Sequence, residues 1–204
     1  MNTEKRLILI LVFLMLPASA VLVPAETKPA APESREYKIK AAFLYNFLKT
    51  CEWPAEVADT KTEPYRIGLV GEDLFGDSFK PVEGQQVRGK KIEIHHLKGF
   101  GRYSLNEQGV PDVPREDLKA IQSCQILFIC KSEKAFVADI LTVTRNSPIL
   151  TVSEVDEFLE SGGMINFLPE ATKGDFEVSL VALEEGRLKI SSKLLRIAKR
   201  VVKE

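Results

Sequence analysis

The sequence is short of the residues that much chemistry needs. It has two histidines, His95 and His96, and they are neighbours. Neighbours on an extended strand point to opposite faces, so the pair cannot share a metal ion, and a histidine-based zinc centre is not expected. The net charge of -1 provides no basic field, which argues against nucleic acid as a partner. Beyond the amino terminus no apolar run approaches the length of a membrane span. No Gly-x-Ser-x-Gly elbow, Gly-x-Gly-x-x-Gly loop or Walker loop occurs. No cofactor or metal site follows from what remains. Adjacent carboxylates at Glu72 and Asp73 are the sole acid/base candidates, and neighbouring acids are common in turns.

The first 25 residues have the layout of a secretory signal peptide. Lys5 and Arg6 precede an apolar core over 7–16, then come Pro17 and the small residues Ala18-Ser19-Ala20, with a second cleavage option at Val23-Pro24-Ala25. The apolar run can be stretched to Val23 as an uncleaved anchor, but Pro17 and the small residues favour removal. A short leader and the lack of Asn-x-Ser/Thr sites fit a bacterial periplasmic protein. Residues 26–35 are a Pro/Ala linker, and one folded domain is expected over 36–204. Export places Cys51, Cys124 and Cys130 in an oxidising compartment. Cys124 and Cys130 flank one strand and stand about 20 Å apart if it is straight, beyond disulfide reach. A bridge would therefore join Cys51 to Cys124 or Cys130; the other reading is three reduced, buried thiols.

The organising stretch is 123–133. Ile126-Leu127-Phe128-Ile129 is apolar without a break, as in a strand covered on both faces. Similar short strands are expected over 65–70, 149–152 and 164–168, with 176–180 antiparallel to the last and a short strand over 188–190. Lys91 to Leu97 alternates and reads as a half-exposed edge strand, with His96 packed or hydrogen-bonded. Helices are expected over 34–51 with Ser34 as cap, over 114–122, after Ser132, after Ser153 and over 191–202. The last has an apolar face and a basic face of Lys193, Arg196, Lys199, Arg200 and Lys203, either solvated or apposed to an acidic partner or anionic lipid. The fold class that results is α/β: a Rossmann-like, mostly parallel sheet with helices on both faces and an antiparallel edge.

In such sheets ligands bind beyond the carboxyl ends of the strands. That edge carries Gly71, Glu72, Asp73, Lys131, Ser132, Glu133, Ser153 and Glu154. Free amides at helix starts there can hold an anion or a nucleotide-like ligand; the plainer role of Ser132 and Ser153 is helix capping.

Six blocks in order then resemble the YfiR family, also called the DUF4154 domain. They are 37–49 (Tyr-Lys-Ile-Lys-Ala-Ala-Phe-Leu-Tyr-Asn-Phe-Leu-Lys) with Trp53-Pro54, 67–76, 124–129 with Ser132-Glu133, 149–154, 162–167 and 188–195. The resemblance spans Tyr37 to about Val201. It implies a periplasmic α/β protein that is not an enzyme and that represses an inner-membrane diguanylate cyclase, or another membrane sensor protein, by binding its periplasmic region. Release of that repression raises cyclic di-GMP and promotes biofilm. Some relatives form disulfides and homodimers. The resemblance assigns no partner-binding residues. A periplasmic small-molecule sensor is the competing reading.

Overall fold

A computed structural model describes residues 32–58, 63–169 and 174–203. The expected signal peptide and most of the linker lie outside the described residues. In chain order the elements are helix α1 (Pro32–Thr50), the single turn α2 (Ala55–Ala58), strand β1 (Tyr65–Val70), β2 (Gln86–Val87), β3 (Lys90–Leu97), α3 (Arg115–Gln122), β4 (Ile126–Ile129), α4 (Val137–Thr144), β5 (Leu150–Ser153), β6 (Ile165–Phe167), β7 (Phe176–Ser179), α5 (Leu180–Glu185), α6 (Ser192–Ile197) and β8 (Arg200–Val202). Short 3-10 turns occupy Gly76–Phe79, Phe100–Arg102 and Lys131–Phe136.

The strands form one sheet in the order β2-β3-β1-β4-β5-β6-β7-β8. The run from β3 to β6 is parallel, β7 is antiparallel to β6, and β8 returns parallel to β7. The central strand explains the layering. Ile126 and Phe128 of β4 pack with Leu44, Phe47 and Leu48 of α1, while Leu127 and Ile129 pack with Val137, Ile140 and Leu141 of α4. Every residue of β4 is buried because each face has its own helical cover. Burial of each such side chain stabilises the fold by about 1.5–3 kcal/mol, so the α/β class follows from this one strand.

Several elements differ from expectation. Helix α1 begins at Pro32, so Ser34 lies inside it. Strand β3 is half-exposed, as expected; the two-residue β2 pairs antiparallel with its first residues, Lys90 and Lys91, and the rest of its outer side is the edge of the sheet. His96 is exposed, not packed, and its Nδ1 stands 3.2 Å from Asp73 Oδ2. No helix follows Ser153: the chain turns through 156–162, with Glu157 at φ 59 and Gly162 at φ 97, which interrupts helical repetition. Only a bridge between Glu52 and Lys189 occurs where a strand over 188–190 was expected. The helix of 191–202 stops at Ile197; Ala198 turns extended and residues 200–202 pair with β7. Its basic stripe is thereby divided, with Lys199 facing Asp175 at 3.5 Å and Arg200 bonded to Glu177 and Glu160.

The cysteines are free and buried, in contrast to a bridge from Cys51. Helix α1 runs against the strands: Tyr37 meets Glu154 beyond the end of β5, whereas Trp53 lies against Tyr65 at the start of β1. Helical rise puts Cys51 about 21 Å from the Tyr37 end, where Cys130 lies. Cys124 turns its thiol the other way, donating to Ala120 O at 3.3 Å. Burial pushes the Cys51 thiol up to about 12 and the Cys124 thiol up to about 11, so both stay protonated and unreactive at neutral pH. An aromatic disulfide reagent should therefore titrate no thiol in the native protein and three in denaturant; a native titre of one or more, or a disulfide in the non-reduced mass, contradicts this packing.

Candidate functional site

The connection from β1 leads to β3 on one side, and the chain then returns past β1 to β4 on the other. Such reversal leaves a crevice at the carboxyl ends of the two strands, the usual ligand position in an open α/β sheet. The expected edge residues do gather at these strand ends, but they divide into two clusters and several are already engaged.

The first cluster closes the crevice. Gly71 follows β1 with φ +104, a left-handed conformation that favours glycine. A Cβ there would stand 2.6 Å from Ser132 Oγ and 2.7 Å from Glu133 Cγ. Ser132 does not cap its own 3-10 turn; its Oγ accepts from Glu72 N at 2.8 Å and donates toward Glu133 Oε1 at 3.3 Å. Glu133 is buried. Its Oε2 accepts from Phe100 N at 2.7 Å and from Gly101 N at 3.5 Å. Gly99 approaches the same carboxylate so closely that a Cβ would overlap it. An internal carboxylate thus takes the amides that a bound anion would otherwise use. Asp73 turns aside to accept from Phe75 N at 2.7 Å and to face His96.

The second cluster ties α1 to the end of β5. Lys40 is 1% exposed and pairs with both Glu36 and Glu154, and the Tyr37 hydroxyl donates to Glu154 at 2.7 Å. Burial first, and then the hydrogen bond to the Glu154 carboxylate, hold the Tyr37 phenol protonated well above its usual range. Breaking a buried pair of this kind by removing one partner costs about 3–5 kcal/mol. The outer side of the cluster lines a cleft of about 390 Å³ with Leu74, Lys131 and Asp156. Lys131 is exposed, as are Glu72 and Ser132. Ser153 is wholly buried; its Oγ donates to Ile129 O at 2.8 Å and accepts from Val155 N at 3.3 Å, so it braces β5 against β4 and is closed to a ligand.

Sequence reasoning missed Tyr37 and Lys40 as members of this edge. The readable signal was Glu36 and Lys40, an i,i+4 pair of opposite charge on the same side as the apolar stripe of Tyr37, Ala41 and Leu44.

Glu133→Ala should lower stability by about 1–3 kcal/mol, because the Phe100 amide is left buried without an acceptor, and added formate should recover part of the lost Tm. Gly71→Ala should destabilise without rescue by formate. Unchanged thermal stability of Glu133→Ala would show that the crevice is not held shut by its carboxylate.

The sequence pattern of the YfiR/HmsC-like family matches residues 37–199, and the chain belongs to that family. No curated protein matches the chain. The family is one of periplasmic, regulatory and non-catalytic domains in cyclic di-GMP signalling, which act on a membrane signalling partner. Among the described residues no helix is long and apolar enough to cross a membrane.

Proposed function

We propose, from membership of the YfiR/HmsC-like family, that this protein is an exported repressor that binds the periplasmic sensory region of an inner-membrane diguanylate cyclase and lowers cyclic di-GMP. The observation that carries the reading is the family match over 37–199. Supporting it, the strand-end crevice is filled by Glu133 rather than left open to a substrate. In this reading residues 1–25 direct export, 26–35 form a linker and 36–204 act as one domain. Repression is a population shift: the bound protein favours the inactive arrangement of the cyclase. Moving that equilibrium from 1:99 to 99:1 requires about 10⁴-fold preference for the inactive state.

Deletion of the gene should raise cellular cyclic di-GMP and biofilm, and restoring the exported chain should reverse both. Unchanged cyclic di-GMP in the deletion strain, together with no cyclase co-purifying from membranes, contradicts the cyclase assignment.

A second reading is a small-molecule sensor, favoured by the cleft beside Tyr37, Lys131 and Glu154. It is compatible with the first if ligand binding tunes the partner contact. The original edge of Gly71, Ser132 and Ser153 is less suited to a ligand, since all three are committed to internal contacts. A metabolite that raises Tm in the wild type, but not in Lys131→Ala, would support the sensor.

A further inference from the structure

The outer side of β3 is bare along half its length, and the neighbours on both sides fix which backbone groups face outward. Toward β1, Leu97 O accepts from Gly71 N. On the opposite side, Ile92 N donates to Gln85 O and Ile92 O accepts from Gly84 N. Successive residues of a strand bond to alternate sides. Glu93, His95 and Leu97 therefore bond to β1, and the N–H and C=O of Ile94 and His96 point away from the sheet. The register agrees, with His95 opposite Gly68 and Leu97 opposite Val70. Gly84 shows why the cover stops: its φ of +74 turns the chain off the edge. No described residue bonds to the outward groups of Ile94 and His96.

The two edges of the sheet are not guarded alike. Strand β8 has only three residues and carries Arg200, held between Glu177 and Glu160. Short strands and cations are devices that keep sheet edges apart. From Glu93 to Leu97, β3 has neither lysine nor proline, and Ile94 and Leu97 are only half-buried. Its charges are an acid and an imidazole on one face, with His95 Nε2 3.3 Å from Glu93 Oε2. An unguarded edge of this kind is a template for another strand.

We propose that the bare half of β3 pairs with the same segment of a second copy of this chain, antiparallel about a two-fold axis, so that two sheets become one. With the axis beside His95, Ile94 of each copy lies opposite His96 of the other. Both residues offer an outward N–H and C=O, so each such pair exchanges both of its bonds. The Ile94 side chains, which face the α1 side of the sheet, become diagonal neighbours across the axis, within contact reach. On the other face the His95 rings meet, and Glu93 of one copy is diagonal to His95 of the other. The contact is isologous, and it sets no lysine or arginine against another. A net charge of -1 adds little long-range repulsion between copies. A strand of a different protein would find the same backbone groups, but here the segment itself supplies the apolar and acid–imidazole matches about the axis. Self-pairing at β3 does not depend on the repressor reading.

The test is sedimentation velocity of the purified exported protein over a concentration series, with amide hydrogen exchange at Ile94 and His96. The wild type should form a reversible dimer, and the two amides should be protected in the dimer and exchange fast on dilution. His96→Pro removes an outward N–H and spares the β1 ladder, at an edge position where proline is tolerated. The two-fold axis makes each substitution count twice, so self-association should weaken by about tenfold or more, with the Tm of the dilute protein unchanged. His96→Ala keeps the N–H and should dimerise nearly as the wild type does; a loss equal to that of proline would place the side chain, not the backbone, at the contact and overturn strand pairing. Ile94→Lys sets two cations across the axis and should also leave a folded monomer. A wild type that stays monomeric at every concentration overturns the proposal, as does a dimer indifferent to both His96→Pro and Ile94→Lys. Amides protected even in the dilute monomer mean that the chain covers its own edge, and amides protected only when a different protein is added mean that another strand is the occupant; either result rejects the second copy.

Discussion

A buried carboxylate held by backbone amides is the constraint from which the rest of this molecule follows. Glu133 has no cation beside it among the described residues, so its charge is stabilised by the Phe100 and Gly101 amides and by the Ser132 hydroxyl. Unpaired burial of such a charge would cost several kcal/mol, and charge-assisted hydrogen bonds are the available compensation. To make them, the segments after β1, β3 and β4 must converge on one point. Gly71 and Gly99 are the places where the backbone yields to that convergence. The crevice in which an open α/β sheet would hold a ligand is thus spent on joining three loops.

Glu133 closes that crevice from within the domain. The second tie, from Tyr37 and Lys40 to Glu154, secures α1 across the same end of the sheet and leaves only a shallow cleft beyond it. The other long edge of the sheet ends in β8, whose Arg200 is tied back to Glu177 and Glu160. The family to which the chain belongs is a regulatory one. The buried thiols agree as well: with the Cys51 and Cys124 thiols pushed up to about 12 and about 11, redox chemistry has no ready nucleophile in this domain.

The parallel core was legible in the sequence because strands covered on both faces must be apolar without interruption. Ile126 to Ile129 satisfies that condition, Leu150 to Val152 does so except at the buried Thr151, and no helical period fits either. The ends of the chain were harder. Helix α5 is only six residues long, too short for its period to separate it from a strand, although Ser179, whose Oγ accepts from Ala182 N at 3.2 Å, and Gly186 mark its two ends. Residues 198–202 satisfy a helical stripe as well as a strand, and the choice was made by tertiary pairing: Lys199 N donates to Phe176 O at 2.8 Å. The candidate edge was located correctly by topology, but its chemistry was not, because sequence shows which residues reach a strand end and not which of them bond to each other. Ser132 and Ser153 look like caps by position; one instead accepts from the Glu72 amide and the other braces two strands. Asp156, three residues beyond Ser153, pairs with Lys134 at 2.9 Å.

Amide hydrogen exchange at Phe100 tests the sealed crevice most directly. Its N–H is buried and donates to Glu133 at 2.7 Å, so it should exchange only through large-scale opening, with protection close to that of the central strand. Exchange at the rate of an exposed loop amide, with β4 still protected, would mean that the carboxylate does not hold the crevice closed and that the strand-end edge is open to a ligand after all.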